Sequence, residues 1–205
     1  MQPIKNIIFD LGGVLLDIDY HKTADAFIQL GAKNFKEFYS QTTANPLFEQ
    51  LETGHISDEE FYVAMQAHCN PGTTFAQIQT AWNAILLDFR KESIAYLQQL
   101  KPKYNLYLLS NTNHIHHQAF QLKLQQQVGQ HSLNNFFITA YYSHEIKKRK
   151  PYQATYQYVM DSLQINPAQT LFIDDSIINI GPAAAIGIQT HLLLPTQKIE
   201  QLGLL

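Results

Sequence analysis

Ile4-Lys5-Asn6-Ile7-Ile8-Phe9, closed by Asp10-Leu11-Gly12-Gly13, is the stretch that decides the fold. It is a short β-branched and aromatic run, the mark of a buried strand, and it stops at a glycine turn with a carboxylate on its last edge. Similar runs recur downstream. Tyr104-Asn105-Leu106-Tyr107-Leu108-Leu109 ends at Ser110-Asn111, and Thr170-Leu171-Phe172-Ile173 ends at Asp174-Asp175-Ser176. Phe136–Ala140 and, more weakly, Ile188–Leu193 complete a set of five predicted strands.

Helical patterns lie between these strands. Tyr152, Tyr156, Val159, Met160 and Leu163 keep a helical spacing behind Pro151, a residue suited to the first helical turn. Ile94, Leu97 and Leu100 mark a helix before the second strand, and Ala183 to Ile186 closes on Gly187. Strands alternating with helices predict an α/β fold: a doubly wound, Rossmann-like parallel sheet with helices on both faces and right-handed crossovers. Residues from about 18 to 87 break the alternation. They show no strand pattern, but Ser57-Asp58-Glu59-Glu60 forms a capping box before Phe61, Ala64, Met65 and His68. After the turn at Asn70-Pro71-Gly72, a second apolar face follows with Phe75, Ile78, Trp82 and Ile85. The expected organisation is a core of residues 1–17 and 88–205 with a small all-helical module, 18–87, inserted after the first strand.

Composition narrows the function. The 205 residues carry 14 Lys+Arg against 17 Asp+Glu, a net charge of −3, with 15% charged and 45% hydrophobic residues. A chain of this length buries about 70% of its unfolded surface, enough for a core without disulfides. Cys69 is the one cysteine, which excludes a disulfide framework and a cysteine zinc site. No apolar run approaches membrane-spanning length, and no signal-peptide pattern opens the sequence. The charge balance argues against nucleic acid as a partner. The expected setting is cytoplasmic.

In parallel sheets, ligands bind at the carboxyl ends of the strands. Asp10, Ser110-Asn111 and Asp174-Asp175 all stand at such ends, and Lys150 follows the third strand. Three carboxylates at one edge repel unless a cation neutralises them, and hard oxygen donors favour Mg²⁺. The Ser110 hydroxyl, the backbone of the Gly12-Gly13 turn and the Lys150 ammonium are donors for phosphate. The set suits phosphoryl transfer, with Asp10 placed to act as nucleophile.

Phe9-Asp10-Leu11-Gly12-Gly13-Val14, Leu108-Leu109-Ser110-Asn111-Thr112, Lys150-Pro151 and Phe172-Ile173-Asp174-Asp175 resemble, in order, the four signature motifs of the haloacid dehalogenase superfamily. The helical module resembles that superfamily's small cap domain. Glu52-Thr53-Gly54-His55-Ile56-Ser57 and Ala81-Trp82-Asn83 resemble a bacterial phosphatase subgroup that includes glucose-1-phosphate phosphatases. The resemblance implies that Asp10 is nucleophile and magnesium ligand and that the Gly12 carbonyl is a second ligand. It implies that Asp174 and Asp175 hold the metal and that Ser110 bonds the phosphoryl group. Lys150 would offset charge, and Asn179 would order the loop after the acidic pair. Asn111 and Gly13 join the expected phosphate contacts.

One position departs from the pattern. Two residues after the nucleophile, most family phosphatases carry a second aspartate as general acid and base; here stands Gly12. Asp17, Asp19 and His21 are candidate substitutes, Asp17 foremost. The expected activity is magnesium-dependent hydrolysis of a small phosphorylated metabolite, sugar phosphates included. The alternatives are a dehalogenase or phosphonate hydrolase of the same fold, or a catalytically weak binding protein. Lys147, Lys148 and Arg149 read as solvated charge. His114, His116 and His117 read as surface helix, since their spacing cannot bring all three to one face. Trp82 and Phe75 read as module core, and Cys69 as inert.

Overall fold

The computed structural model describes residues 2–39 and 45–205. In chain order it runs β1 (Asn6–Phe9), β2 (Leu16–Ile18), α1 (Tyr20–Gln29), α2 (Phe35–Phe38), α3 (Pro46–Glu52), α4 (Asp58–Gln66), α5 (Phe75–Asn83) and β3 (Leu86–Phe89). It continues with α6 (Lys91–Leu100), β4 (Asn105–Ser110), α7 (His114–Val128), β5 (Thr139–Tyr142), α8 (Ser143–Ile146), α9 (Gln153–Leu163), β6 (Thr170–Asp174), α10 (Ile177–Ala185) and β7 (Gln189–Leu192). The sheet order is β5-β4-β1-β6-β7, and every pairing in it is parallel. The first strand is therefore central, and its end faces the ends of β4 and β6.

The strands bury both faces, as a parallel sheet requires. Ile7 and Phe9 point to one layer with Leu97 of α6 and Phe120 and Leu124 of α7. Ile8 points to the other, with Tyr156, Val159 and Met160 of α9 and Ala183 of α10. The expected fold class stands. Between β2 and β3 the chain builds a separate apolar cluster from Phe27, Phe35, Phe61, Met65, Ile78 and Trp82. Helix α4 starts as the sequence reads it, with a capping box at Ser57/Glu60, and a second box at Thr74/Gln77 opens α5. Residues 40–44 of this segment lie outside the described residues.

Three local expectations are corrected. The segment 18–87 is not free of strands: Leu86 and Leu87 belong to β3, which pairs antiparallel with β2. Strands of three and four residues are too short to show a period, and this ribbon exists only because two stretches some 70 residues apart meet. The third predicted strand is displaced, because Leu133–Phe136 forms a 3₁₀ turn and the strand begins at Thr139. Leu133 and Phe136 are buried in that turn, so their apolar character does not report a strand. Pro151 does not open a helix: Tyr152 is the N-cap, and the peptide bond before Pro151 is cis. The helical segment also contains α1, α2 and α3, whose short patterns had given no signal. No described helix is long and apolar enough to cross a membrane.

Candidate active site

Asp10 follows β1 directly, and its backbone N–H donates to the Ile173 carbonyl at 2.9 Å, which ties the carboxylate to the end of β6. Lys150 Nζ lies 2.8 Å from Asp10 Oδ1 and 2.6 Å from Asp174 Oδ2. All three residues are buried, and the Lys150 side chain is only 1% exposed. A buried ammonium needs such partners, because unpaired charge in the interior is costly by several kcal/mol. The other Asp174 oxygen, Oδ1, accepts from Ser176 N at 2.8 Å and Asn179 Nδ2 at 2.9 Å. Asn179 thus orders the loop after the acidic pair through Asp174.

Lys150 is itself held in place. Asn111 Nδ2 donates to the Lys150 carbonyl, and the Lys150 N–H donates to Asn111 Oδ1, both at 2.9 Å. This reciprocal pair links the end of β4 to the residue carrying the ammonium. The Asn111 side-chain amide is thus paired with the Lys150 backbone, while the residue itself lines the cavity. Ser110 is buried and lines the cavity above Asp10. Gly13 adopts φ +68°, and a Cβ there would collide with the Asp175 carboxylate. Glycine at this position lets the acidic loop close over the turn.

Carboxylate oxygens of Asp10, Asp174 and Asp175 lie within 4.8 Å of one another. The donor set is all oxygen, with no histidine or cysteine in the group, and it fits a hard divalent cation such as Mg²⁺. The electrostatics agree. Burial pushes the Asp10 carboxyl up to about 7 against the pull of Lys150, with Asp174 and Asp175 adding to the rise. Burial and then Asp174 push Asp175 up to about 6. Burial would depress the Lys150 ammonium, but the attraction of Asp10 and Asp174 is larger and the net shift is upward. Carboxyls raised in this way relax toward ionisation when a cation joins them.

The edge opens into a cavity of about 300 Å³, with Asp10, Gly12, Ser110, Asn111, Lys150 and Asp175 on its floor. The rest of the lining holds residues that sequence reading missed. Tyr20, Tyr39, Asn45, Glu49, Glu52 and Arg149 belong to it. Arg149, expected to be solvated, lies 2.9 Å from Glu52 and 3.7 Å from Glu49. Burial raises the Glu52 carboxyl, and Arg149 opposes the rise. Trp82 is both module core and cavity wall. It stacks on Phe48 at 5.3 Å and on His116 at 4.8 Å. His116 is not a surface residue: it is buried, and its Nε2 lies 3.1 Å from the Trp82 carbonyl. Burial depresses its imidazole to about 4, so it bridges α7 and α5 as a neutral ring.

The candidates for the missing acid fall elsewhere. Asp17 Oδ1 is paired with Arg90 Nε at 2.7 Å and is not on the cavity wall. Asp19 caps α1 by accepting from His21 N. At Gly12 a Cβ would meet Ile18 Cδ1 at 3.0 Å, so that methyl would have to give by a few tenths of an ångström.

A family model described as haloacid dehalogenase-like hydrolase matches residues 4–187. The chain belongs to the haloacid dehalogenase-like hydrolases. It is 29% identical to D-ribitol-5-phosphate phosphatase of Bacteroides thetaiotaomicron, over 91% of this chain and 90% of the relative. A HAD family enzyme of the same organism, solved in wild-type form with magnesium and inorganic phosphate, superposes with a TM-score of 0.86 at 32% identity. That match covers 98% of this chain and 99% of the other. A HAD-like hydrolase of Porphyromonas gingivalis superposes at 0.83 with 29% identity, covering 96% and 94% of the two chains. In this hydrolase the four segments that resemble the family's motifs carry Asp10, Ser110, Lys150 and the Asp174-Asp175 pair described above.

Proposed function

We propose that this hydrolase is a magnesium-dependent phosphatase of a small phosphorylated polyhydroxy metabolite, working through an aspartyl-phosphate on Asp10. The observation that supports it most is one convergence. The Asp10 carboxylate lies 2.8 Å from a buried ammonium and within 4.8 Å of two further carboxylates, on the floor of a cavity. Asp10, the Gly12 carbonyl, Asp174 and Asp175 are the assigned magnesium ligands. When bound, the cation supplies neutralising charge to the phosphoryl oxygens and to the acidic edge.

In the first half-reaction an Asp10 oxygen attacks phosphorus. The new O–P bond forms as the bond to the leaving oxygen breaks, and that oxygen keeps the electron pair. Ser110 donates to the phosphoryl group, and Lys150 balances charge on Asp10 and the phosphoryl oxygens. In the second half-reaction water attacks phosphorus, the Asp10–phosphorus link breaks with its electrons returning to the carboxylate, and phosphate leaves. Gly12 cannot protonate the leaving oxygen, so that proton comes from water. General acid catalysis contributes roughly 10²–10⁴-fold, and its absence favours leaving groups that need little protonation.

Residues 18–87 are assigned as the cap domain, with 1–17 and 88–205 as the hydrolase core. The cavity wall supports a hydroxylated substrate body, because Glu49 and Glu52 offer acceptors and Arg149, Asn45 and Tyr20 offer donors. The relative that acts on D-ribitol 5-phosphate, a phosphorylated polyol, agrees with this chemistry. A screen of phosphorylated metabolites with Mg²⁺, using Asp10→Asn as blank, tests the reading. Magnesium-dependent phosphate release is expected, strongest with five- and six-carbon polyol and sugar phosphates. Wild type and Asp10→Asn equal at background on every substrate would instead identify a binding protein that retains the fold, the reading Gly12 favours.

A further inference from the structure

Outside the cavity, one cluster of ligating side chains takes no part in the chemistry above. We propose that His117, His144 and Glu145 form a second metal site, selective for a d-block divalent cation and best suited to zinc. One donor atom of each residue lies within 4.8 Å of the other two. His117 projects from α7, and His144 and Glu145 from α8. The two imidazole rings are 5.5 Å apart between centroids. None of the three lines the cavity above Asp10.

The donor chemistry separates this site from the acidic edge. Two imidazoles and a carboxylate are a borderline set that suits zinc, with a fourth position open to water, whereas the all-oxygen edge suits magnesium. Tetrahedral zinc with bonds near 2.0–2.1 Å separates its ligands by about 3.4 Å, so the cluster must contract slightly. Glu145 is exposed and can supply that movement. His144 Nδ1 is buried and has no partner in full hydrogen-bond geometry, while the Thr112 backbone interacts with the same ring.

Gln121 Nε2 stands 3.2 Å from His117 Nε2, so uptake leaves Nδ1 as donor or displaces that single contact. In the next layer the His114 ring lies 6.4 Å from His144, and its Nδ1 lies 2.7 Å from Asp58 Oδ2 of α4. Occupancy would tie α7, which follows Ser110, to α8, which leads to Lys150, where the helical segment meets the core.

The test keeps the two sites apart by holding the protein in saturating Mg²⁺ and titrating zinc against a chromophoric chelator at about pH 7.5. One zinc per chain is expected, unchanged in Asp10→Asn. His144→Gln and His117→Gln should each weaken it by about 100-fold, the upper end of what even outer-shell partners cost. Glu145→Gln, at an exposed position, should weaken it about tenfold and stands in if a histidine variant does not fold. Cobalt replacing zinc should show the visible absorption of a four-coordinate nitrogen-containing site, lost in His144→Gln. No zinc uptake in excess Mg²⁺, uptake unchanged in the three variants, or uptake abolished by Asp10→Asn would each overturn the site.

Discussion

Asp10, Lys150 and Asp174 are fixed by ionic contacts of 2.8 and 2.6 Å around strand ends, while the aromatic wall is fixed by stacking, with Trp82 flat against Phe48 at 5.3 Å and His116 at 4.8 Å. The two regions answer change differently. In the ionic cluster one ammonium serves two carboxylates, so removing Lys150 leaves both buried and unpaired. On the aromatic wall the energy is spread over many weak contacts, and losses are graded. The first region suits a fixed reaction and the second an adjustable substrate.

The strongest way to break this contrast is Asp10→Asn, which should lower kcat by about 10⁴-fold or more, measured as phosphate release with the best substrate. Next is Lys150→Met. It leaves Asp10 and Asp174 facing each other without a cation and should cost about 3–5 kcal/mol of stability, read from urea denaturation in chelator. If it costs under about 1 kcal/mol, the ionic cluster is not held as described.

The third test crosses the two regions. Gly12→Asp with Ile18→Ala supplies the missing acid and clears the methyl group that sits 3.0 Å from the required Cβ. Turnover of an alkyl phosphate should rise about 100-fold, while an aryl phosphate with a good leaving group should change little. Equal gains on both substrates would mean that leaving-group protonation is not what Gly12 lacks. Glu52→Gln is smaller: KM should rise about tenfold with kcat nearly unchanged, the signature of lost uniform binding. A fall in kcat alone would move Glu52 from the substrate wall into the chemistry.

The smallest effect concerns His116. Its imidazole is depressed from 6.5 to about 4, so the neutral form is favoured in the fold. The stability it contributes is complete above pH 6.5 and is lost as pH falls toward 4. His116→Gln should therefore lose less stability than wild type between pH 7 and pH 5, compared by denaturation midpoint. Identical losses would place the ring outside the junction.

Much of the acidic edge was legible because each of its residues stands where a strand stops. Asp10, Ser110 and Asp174 follow apolar runs whose ends a parallel sheet aligns, and β1 is central in that sheet. The cavity wall was not legible. Arg149 looks like one charge in a basic run until Glu52, 97 positions earlier, is folded against it. The histidines of α7 look alike in sequence, yet His116 is buried on Trp82, His117 faces His144, and His114 reaches Asp58. Asp17 looked available as an acid because nothing in the sequence announces Arg90 beside it.

The sequence by itself determined the α/β class, the strand-end carboxylates, the lysine that joins them and the absence of an acid at position 12. These are local signals: apolar period, glycine turns and polar residues at the ends of runs. Only the tertiary structure decided how Lys150 divides itself between two carboxylates, which residues wall the cavity, that Ile18 crowds Gly12, and that two histidines and a glutamate meet outside the cavity. Those facts depend on contacts between stretches far apart in the chain, and burial and pairing arise only when such stretches pack.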